Sequence, residues 1–203
     1  MKKTVAIIGA TGRVGSALAK CFARTDNRLI LMSHNAAKLD VLTRNIQQMF
    51  DEAEVVKSDC QLDSCWEADI VILAVPHDSE KQIAKFISQV VTQKIIVSIS
   101  NRLSADLDKS SSETSAAEEL QKLLPYSKIV KAFNISHGTD FSKSVIPKDC
   151  FLAGDDAAAV KEVSNLIIPA GFNPILSGKL YQCRVLEATQ TMLSTINTMH
   201  KNY

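Results

Sequence analysis

Along this chain, short apolar runs rich in β-branched residues alternate with segments whose apolar positions recur every three or four residues. The first pattern fits strands and the second amphipathic helices. It predicts strands at Thr4–Ile8, Arg28–Met32, Glu54–Lys57, Asp69–Val75, Lys94–Ile99 and Lys128–Phe133, with helices over about Arg13–Arg24 and Asn35–Phe50. Asp69–Val75 is almost wholly apolar, as expected of a central strand covered on both faces. Ser115-Ala116-Ala117-Glu118 has the spacing of a capping box, in which serine and glutamate satisfy free amides at a helix start. That helix should run to about Leu124 and stop at Pro125. Strands separated by helices of this length build βαβ units and a parallel sheet with right-handed crossovers.

Beyond Pro147 the alternation continues through Cys150–Ala153, a helix over about Asp155–Ile168, Pro174–Leu176 and a last helix over Gln182–His200. In that last helix Val185, Thr189, Met192, Ile196 and Met199 share one face. Such a stripe packs against its own domain or, less often, meets a second copy of the chain. Between the strands, residues 101–114 are polar and serine-rich, with Lys109-Ser110-Ser111-Ser112 at their centre. A connection this long is either a lid or slack surface chain.

Composition narrows the function classes. A chain of 203 residues suits one domain, here a core of about 1–135 and an extension of about 136–203. Apolar residues at 46% and a net charge of +1 give no field that would draw nucleic acid or an anionic membrane. The apolar runs fall far short of the roughly 20 residues of a membrane span. A soluble, cytoplasmic protein is expected. Five cysteines without a C-x-x-C pair read as reduced, mostly buried thiols, with no metal site.

The candidate chemistry begins at the first strand. Gly9-Ala10-Thr11-Gly12-Arg13-Val14-Gly15 follows an apolar strand and opens an amphipathic helix, the context a dinucleotide-binding fold requires. Gly9, Gly12 and Gly15 would allow a tight turn, backbone approach to a pyrophosphate and close helix–strand packing. The predicted architecture is therefore α/β, a Rossmann-like, doubly wound, mainly parallel sheet extended by C-terminal strands and a final long helix. At the end of the second strand an NAD site usually carries an acid for the ribose 2′-hydroxyl. This chain has Ser33-His34-Asn35-Ala36-Ala37-Lys38 instead. Ser33 and Asn35 can donate to a 2′-phosphate and Lys38 can reach it as a point charge, so NADP (as NADPH) is the expected cofactor. Arg13 could cover the adenine. Val75-Pro76-His77 ends the fourth strand at the ligand-binding edge of the sheet. His77 either meets the second substrate or begins the next helix.

The chain resembles the NADPH-dependent reductases of the deazaflavin coenzyme F-420, and is similar also to the soluble NADPH-binding domain of STEAP-type ferric reductases. The specific segments are Ser112-Glu113-Thr114-Ser115-Ala116-Ala117-Glu118, Lys131-Ala132-Phe133-Asn134, Gly154-Asp155-Asp156 and Gly178-Lys179-Leu180, followed by Arg184 and Glu187. The resemblance implies hydride transfer between nicotinamide and a small-molecule acceptor, a flavin or deazaflavin. It places Thr11, Gly12, Arg13 and Val14 on the pyrophosphate, and Ser33, His34 and Lys38 at the 2′-phosphate. Val75 and Pro76 fall at the nicotinamide ribose, with Ala132 and Asn134 near the nicotinamide ring. His34 stands where the family usually has arginine, and Asn134 follows the STEAP-type pattern. Asn134 and His77 are the candidates for positioning the acceptor. A short-chain-type reductase needs Tyr-x-x-x-Lys, whereas Val130 and Val185 follow Tyr126 and Tyr181 at that spacing. An imine or carbonyl reductase, or a non-enzymatic NADPH sensor, are the alternatives.

Overall fold

The computed structural model describes residues 2–102, 113–134 and 148–200. Its elements in chain order are β1 (Thr4–Ile8), α1 (Arg13–Phe22), β2 (Arg28–Met32), α2 (Ala36–Met49), β3 (Val55–Lys57), α3 (Gln61–Glu67), β4 (Ile70–Leu73) and α4 (His77–Ile87). There follow β5 (Ile95–Ser98), α5 (Ala116–Leu123), β6 (Lys128–Lys131), β7 (Lys148–Gly154), α6 (Ala157–Ile167), β8 (Phe172–Leu176) and, after a 3-10 turn at Leu180–Gln182, α7 (Cys183–His200). The strands form one eight-stranded sheet in the order β3-β2-β1-β4-β5-β6-β7-β8. The first six in sequence run parallel. β7 is antiparallel to β6, and β8 is parallel to β7.

Alternation along each strand sorts its side chains onto two faces. Val5, Ile7, Ile70 and Ile72 pack with Leu18 and Phe22 of α1, Leu39, Leu42 and Ile46 of α2, and Val163 and Ile167 of α6. Ala6, Ile8, Val71 and Leu73 face the other way, towards Cys65 of α3, Ala84 and Ile87 of α4, Leu120 of α5 and Leu186 of α7. All four β4 residues are buried, because helices cover the central strands from both sides. The cysteines are free; four are buried and Cys60 is half-buried.

Helix starts follow local chemistry. Asn35 caps α2 by accepting from the Lys38 amide at 2.9 Å, and Asp156 caps α6 by accepting from the Ala159 amide at 2.8 Å. Ser115 and Glu118 form the expected capping box at α5. The seven-residue α3 was not anticipated; it buries only Ser64 and Cys65, too little to leave a periodic signal. β6 ends earlier than the apolar pattern suggests, at Lys131, because Phe133 takes a left-handed backbone (φ 57°).

Packing of the Val185–Met199 stripe against its own domain is not what the structure shows. Val185, Met192 and Ile196 are exposed, while Cys183, Leu186 and Glu187 form the buried face of α7. The reason is polar: α7 turns Glu187 inward to meet a buried lysine. Residues 103–112 of the serine-rich segment, Lys109-Ser110-Ser111-Ser112 among them, and the Met199 side chain lie outside the described residues.

Candidate functional site

The strand order reverses between β1 and β4, and their carboxyl ends open the crevice in which sheets of this kind take ligands. Gly9 leaves β1 with φ +85°, and a Cβ there would lie 2.3 Å from the Ala74 carbonyl oxygen. A Cβ on Gly15 would lie 2.3 Å from the carbonyl oxygen of Gly9. Both positions therefore need glycine if the turn is to stay closed. Gly12 is the N-cap of α1, with no side-chain cap and no acid in the first turn. Gly12 and Arg13 are exposed and Val14 is half-buried, so the loop and the positive end of the helix dipole meet solvent.

The end of β2 is tied to this loop. The amides of Gly9 and Ala10 both donate to the Met32 carbonyl, at 3.0 and 2.9 Å. The hydroxyls of Thr11 and Ser33 lie 2.5 Å apart, and the Asn35 amide donates to Ser33 Oγ at 3.1 Å. His34 and Lys38 are exposed beside them. The side-chain oxygen of Asn35 is committed to capping α2, a role its place before an amphipathic run could have signalled.

A second group of polar residues gathers where β4, β5 and β6 end. Val75 is half-buried, and exposed Pro76 is the N-cap of α4, so His77 does begin that helix. Pro76, His77, Asp78, Ser100 and Asn101 line a cleft of about 320 Å³. Behind it Glu80, 1% exposed, accepts from the Ser100 hydroxyl at 2.5 Å, while its Oε1 has no partner among the described residues. His77 Nε2 lies 3.1 Å from Glu119 Oε2, and Nδ1 lies 3.9 Å from Glu80 Oε2; neither nitrogen is aligned for a hydrogen bond. Lys81 at 2.7 Å and Arg102 at 3.0 Å also bind Glu119. Burial works to raise the Glu119 carboxyl, but the Lys81 hydrogen bond and the charges of Lys81, His77 and Arg102 outweigh it and hold the carboxyl low.

The deepest polar contact joins β6 to α7. Lys131, fully buried, donates to Glu187 Oε1 at 2.7 Å and to the Ser100 carbonyl. Glu187 Oε2 accepts from the amides of Arg102 and Ala116, each at 3.0 Å. One carboxylate thus pins the end of β6, the segment after β5 and the start of α5. Beside it, Ala132 is fully buried, and the left-handed turn at Phe133 aims Asn134 at α7, where Nδ2 donates to the Leu186 carbonyl at 2.9 Å. Among the described residues Asn134 Oδ1 is buried without a partner, as is Asn101 Oδ1. Nearer the surface, Arg184 grips the capping glutamate Glu118 through Nε at 2.8 Å and Nη2 at 2.6 Å. Burial would raise the Glu118 carboxyl, but Arg184 and the amide and hydroxyl of Ser115 draw it down to about 2.

The residues read from the sequence thus fall in two groups along one sheet edge. Gly9 to Gly15 and Ser33 to Lys38 form the first; Val75, Pro76, His77, Ala132 and Asn134 lie at the strand ends that form the second. Glu80, Ser100, Asn101, Glu119 and Lys131 were missed, since their partners are far away in sequence. Among the described residues no three His, Cys, Asp or Glu side chains gather as a metal site would require. Burial pushes the thiols of Cys65, Cys150 and Cys183 up to about 12, so they stay protonated.

Residues 4–102 match the sequence model of the family described as NADP oxidoreductase coenzyme F420-dependent. The matched stretch runs from β1 to the segment after β5 and includes the glycine turn. Similarity to F420-dependent NADP reductases extends over nearly the whole chain. The reductase of Methanocaldococcus jannaschii is 28% identical over 211 residues, covering 98% of this chain and 94% of the relative. That of Methanothermobacter thermautotrophicus is 24% identical and covers 99% and 92%. Among solved structures, the hypothetical protein SMa0349 of Sinorhizobium meliloti is 28% identical with a TM-score of 0.67, covering 89% of this chain and 86% of that one. The imine reductase of Bacillus cereus, 16% identical with a TM-score of 0.69, shares the fold, yet this chain covers only 63% of it. Among the described residues no helix is long and apolar enough to cross a membrane.

Two stability measurements check this geometry. Glu187→Leu should cost about 3–5 kcal/mol in denaturant unfolding, because it leaves the Lys131 ammonium buried and unpaired. Adding Lys131→Met should recover much of that loss; an unchanged midpoint in the single variant would contradict the pairing. Glu118 ordinarily titrates at 4.5 and is drawn to about 2 in the fold, so its stabilisation is complete above 4.5 and fades as pH falls towards 2. Glu118→Gln should remove about 1–2 kcal/mol at neutral pH and flatten that part of the acid limb.

Proposed function

We propose that this protein is an NADPH-dependent oxidoreductase that transfers a hydride between nicotinamide and a deazaflavin or flavin-like acceptor. The observation that carries this reading is the glycine turn at the strand-order reversal, hydrogen-bonded to a β2 end that has no acid. The names of the relatives point to the same chemistry.

The fit to NADPH rests on residues of this chain. Only glycine keeps the turn at Gly9 and Gly15 closed, and a Cβ at Gly12 would press to 3.2 Å from Gly9 O. The exposed amide end of α1, with Thr11, Gly12, Arg13 and Val14, takes the pyrophosphate. Ser33, His34, Asn35 and Lys38 surround the 2′-phosphate, with Lys38 and, when protonated, His34 supplying charge. Val75 and Pro76 shape the wall at the nicotinamide ribose, and Ala132 and Asn134 close the site near the ring. The nicotinamide supplies the hydride; the protein binds, orients and excludes water. His77 and Asn134 position the acceptor. The core of about 1–135 holds the dinucleotide, and the extension completes the acceptor side through α7. Such an enzyme, with unbridged thiols, works in the cytoplasm.

Calorimetric titration should show NADPH binding more tightly than NADH, and Lys38→Glu should narrow the gap by about tenfold, roughly 1.4 kcal/mol. Steady-state oxidation of NADPH with the deazaflavin, FMN, FAD or a ferric chelate identifies the acceptor. Binding without turnover on any of them would leave a sensor and end the reductase reading.

Exposed Val185, Met192 and Ile196 supply the face for a homodimer through α7. Sedimentation should give about 44 kDa, twice the 22.2 kDa chain, and Met192→Lys should return the monomer. A monomeric wild type would remove this assembly.

A further inference from the structure

We propose that His77 is the proton donor that accompanies hydride transfer, held ready by the carboxylates Glu80 and Glu119. The assignment rests on the reductase reading above, and supplies what that reading lacks. A ring that accepts a hydride at carbon also needs a proton at nitrogen, and the glycine loop offers no acid.

The geometry around His77 is that of a poised group. Its ring forms part of the cleft wall beside Pro76, Ser100 and Asn101. It lies between two carboxylates on different helices, Glu80 of α4 on the Nδ1 side and Glu119 of α5 on the Nε2 side. Both nitrogens are buried and neither makes an aligned hydrogen bond, so no such bond has to break for the ring to turn towards the cleft. Glu80 is the independent sign of a built site. It is 1% exposed, and among the described residues no lysine or arginine pairs with it and one of its oxygens has no partner, although the Ser100 hydroxyl holds the other. Burying a carboxylate in this way is costly unless polar partners approach it, and His77 Nδ1 lies 3.9 Å from its Oε2. Glu119 already carries Lys81 and Arg102, so it orients His77 while its own charge is shared. Asp78 is the remaining charged residue on the cleft wall.

The step balances. When bound, the dihydronicotinamide would supply a hydride from its C4–H bond, and on a deazaflavin that electron pair would end in a C–H bond at the ring carbon. An imidazolium N–H of His77 breaks, its proton passes to the acceptor nitrogen, and the pair remains on the ring. His77 regains a proton from solvent before the next turnover. Glu80 and Glu119 are positioning residues and take no part in the bonds exchanged.

The test is chemical rescue. With the acceptor found by the steady-state screen, His77→Ala should lower kcat by about 100-fold and leave NADPH affinity unchanged, and millimolar imidazole should restore about tenfold of it. His77→Gln, which keeps a polar side chain at the helix start, should be as slow and should lose the solvent deuterium isotope effect of the wild type. A readout independent of turnover is available, because the chain has only four histidines. The ring nitrogen resonances of His77, assigned against His77→Gln, should shift when oxidised acceptor is added to protein loaded with NADP⁺. Full activity in His77→Gln, absence of rescue, or unmoved resonances would each overturn the proposal while leaving the reductase reading intact. A wild type inactive on every acceptor would remove both.

Discussion

The buried pair of Lys131 and Glu187 is the contact on which the second half of the site depends. A lysine at the end of an interior strand is tolerated only when a carboxylate and hydrogen bonds replace its water. Here Glu187 does so from the last helix, and its second oxygen binds the Arg102 and Ala116 amides. Strand end, connecting segment and two helices converge on one carboxylate. The α7 face that reaches it is thereby fixed, which explains why the apolar stripe on the other side points outward.

Much of the fold was legible because backbone sterics and burial act locally. β1, β2, β4 and β5 announce themselves as apolar runs, and in the doubly covered sheet nearly all of their residues are buried. The capping box at Ser115 and the glycine turn were readable for the same reason, since each satisfies its own amides within a few residues. Gly9 and Gly15 are required by contacts that any strand–turn–helix of this type must make. What escaped was α3, too short to show a period, and the left-handed residue Phe133, whose ring packs edge-on to Phe172 at 5.1 Å and Phe22 at 6.4 Å. Nothing in the local sequence says that a phenylalanine will take that backbone; the aromatic contacts across the core hold it there.

The candidate site divides along the same line. The part at the glycine turn is built of neighbours in sequence and could be named residue by residue. The part at the ends of β4, β5 and β6 is assembled across long separations, Glu80 with Ser100, His77 with Glu119, Lys131 with Glu187. No spacing rule links such pairs. His77 and Asn134 were reached through their places at strand ends, whereas the carboxylates around them became visible only in three dimensions.

The two ends of the sheet have a consequence for how copies of this chain meet. β3 has only three residues, of which Val56 and Lys57 are exposed, and β8 carries Pro174, which has no amide to offer a neighbouring strand. Edges this short or interrupted make poor templates for adding another strand. Strand-by-strand growth into fibres is disfavoured at both borders, and ordered self-association is left to helical surfaces.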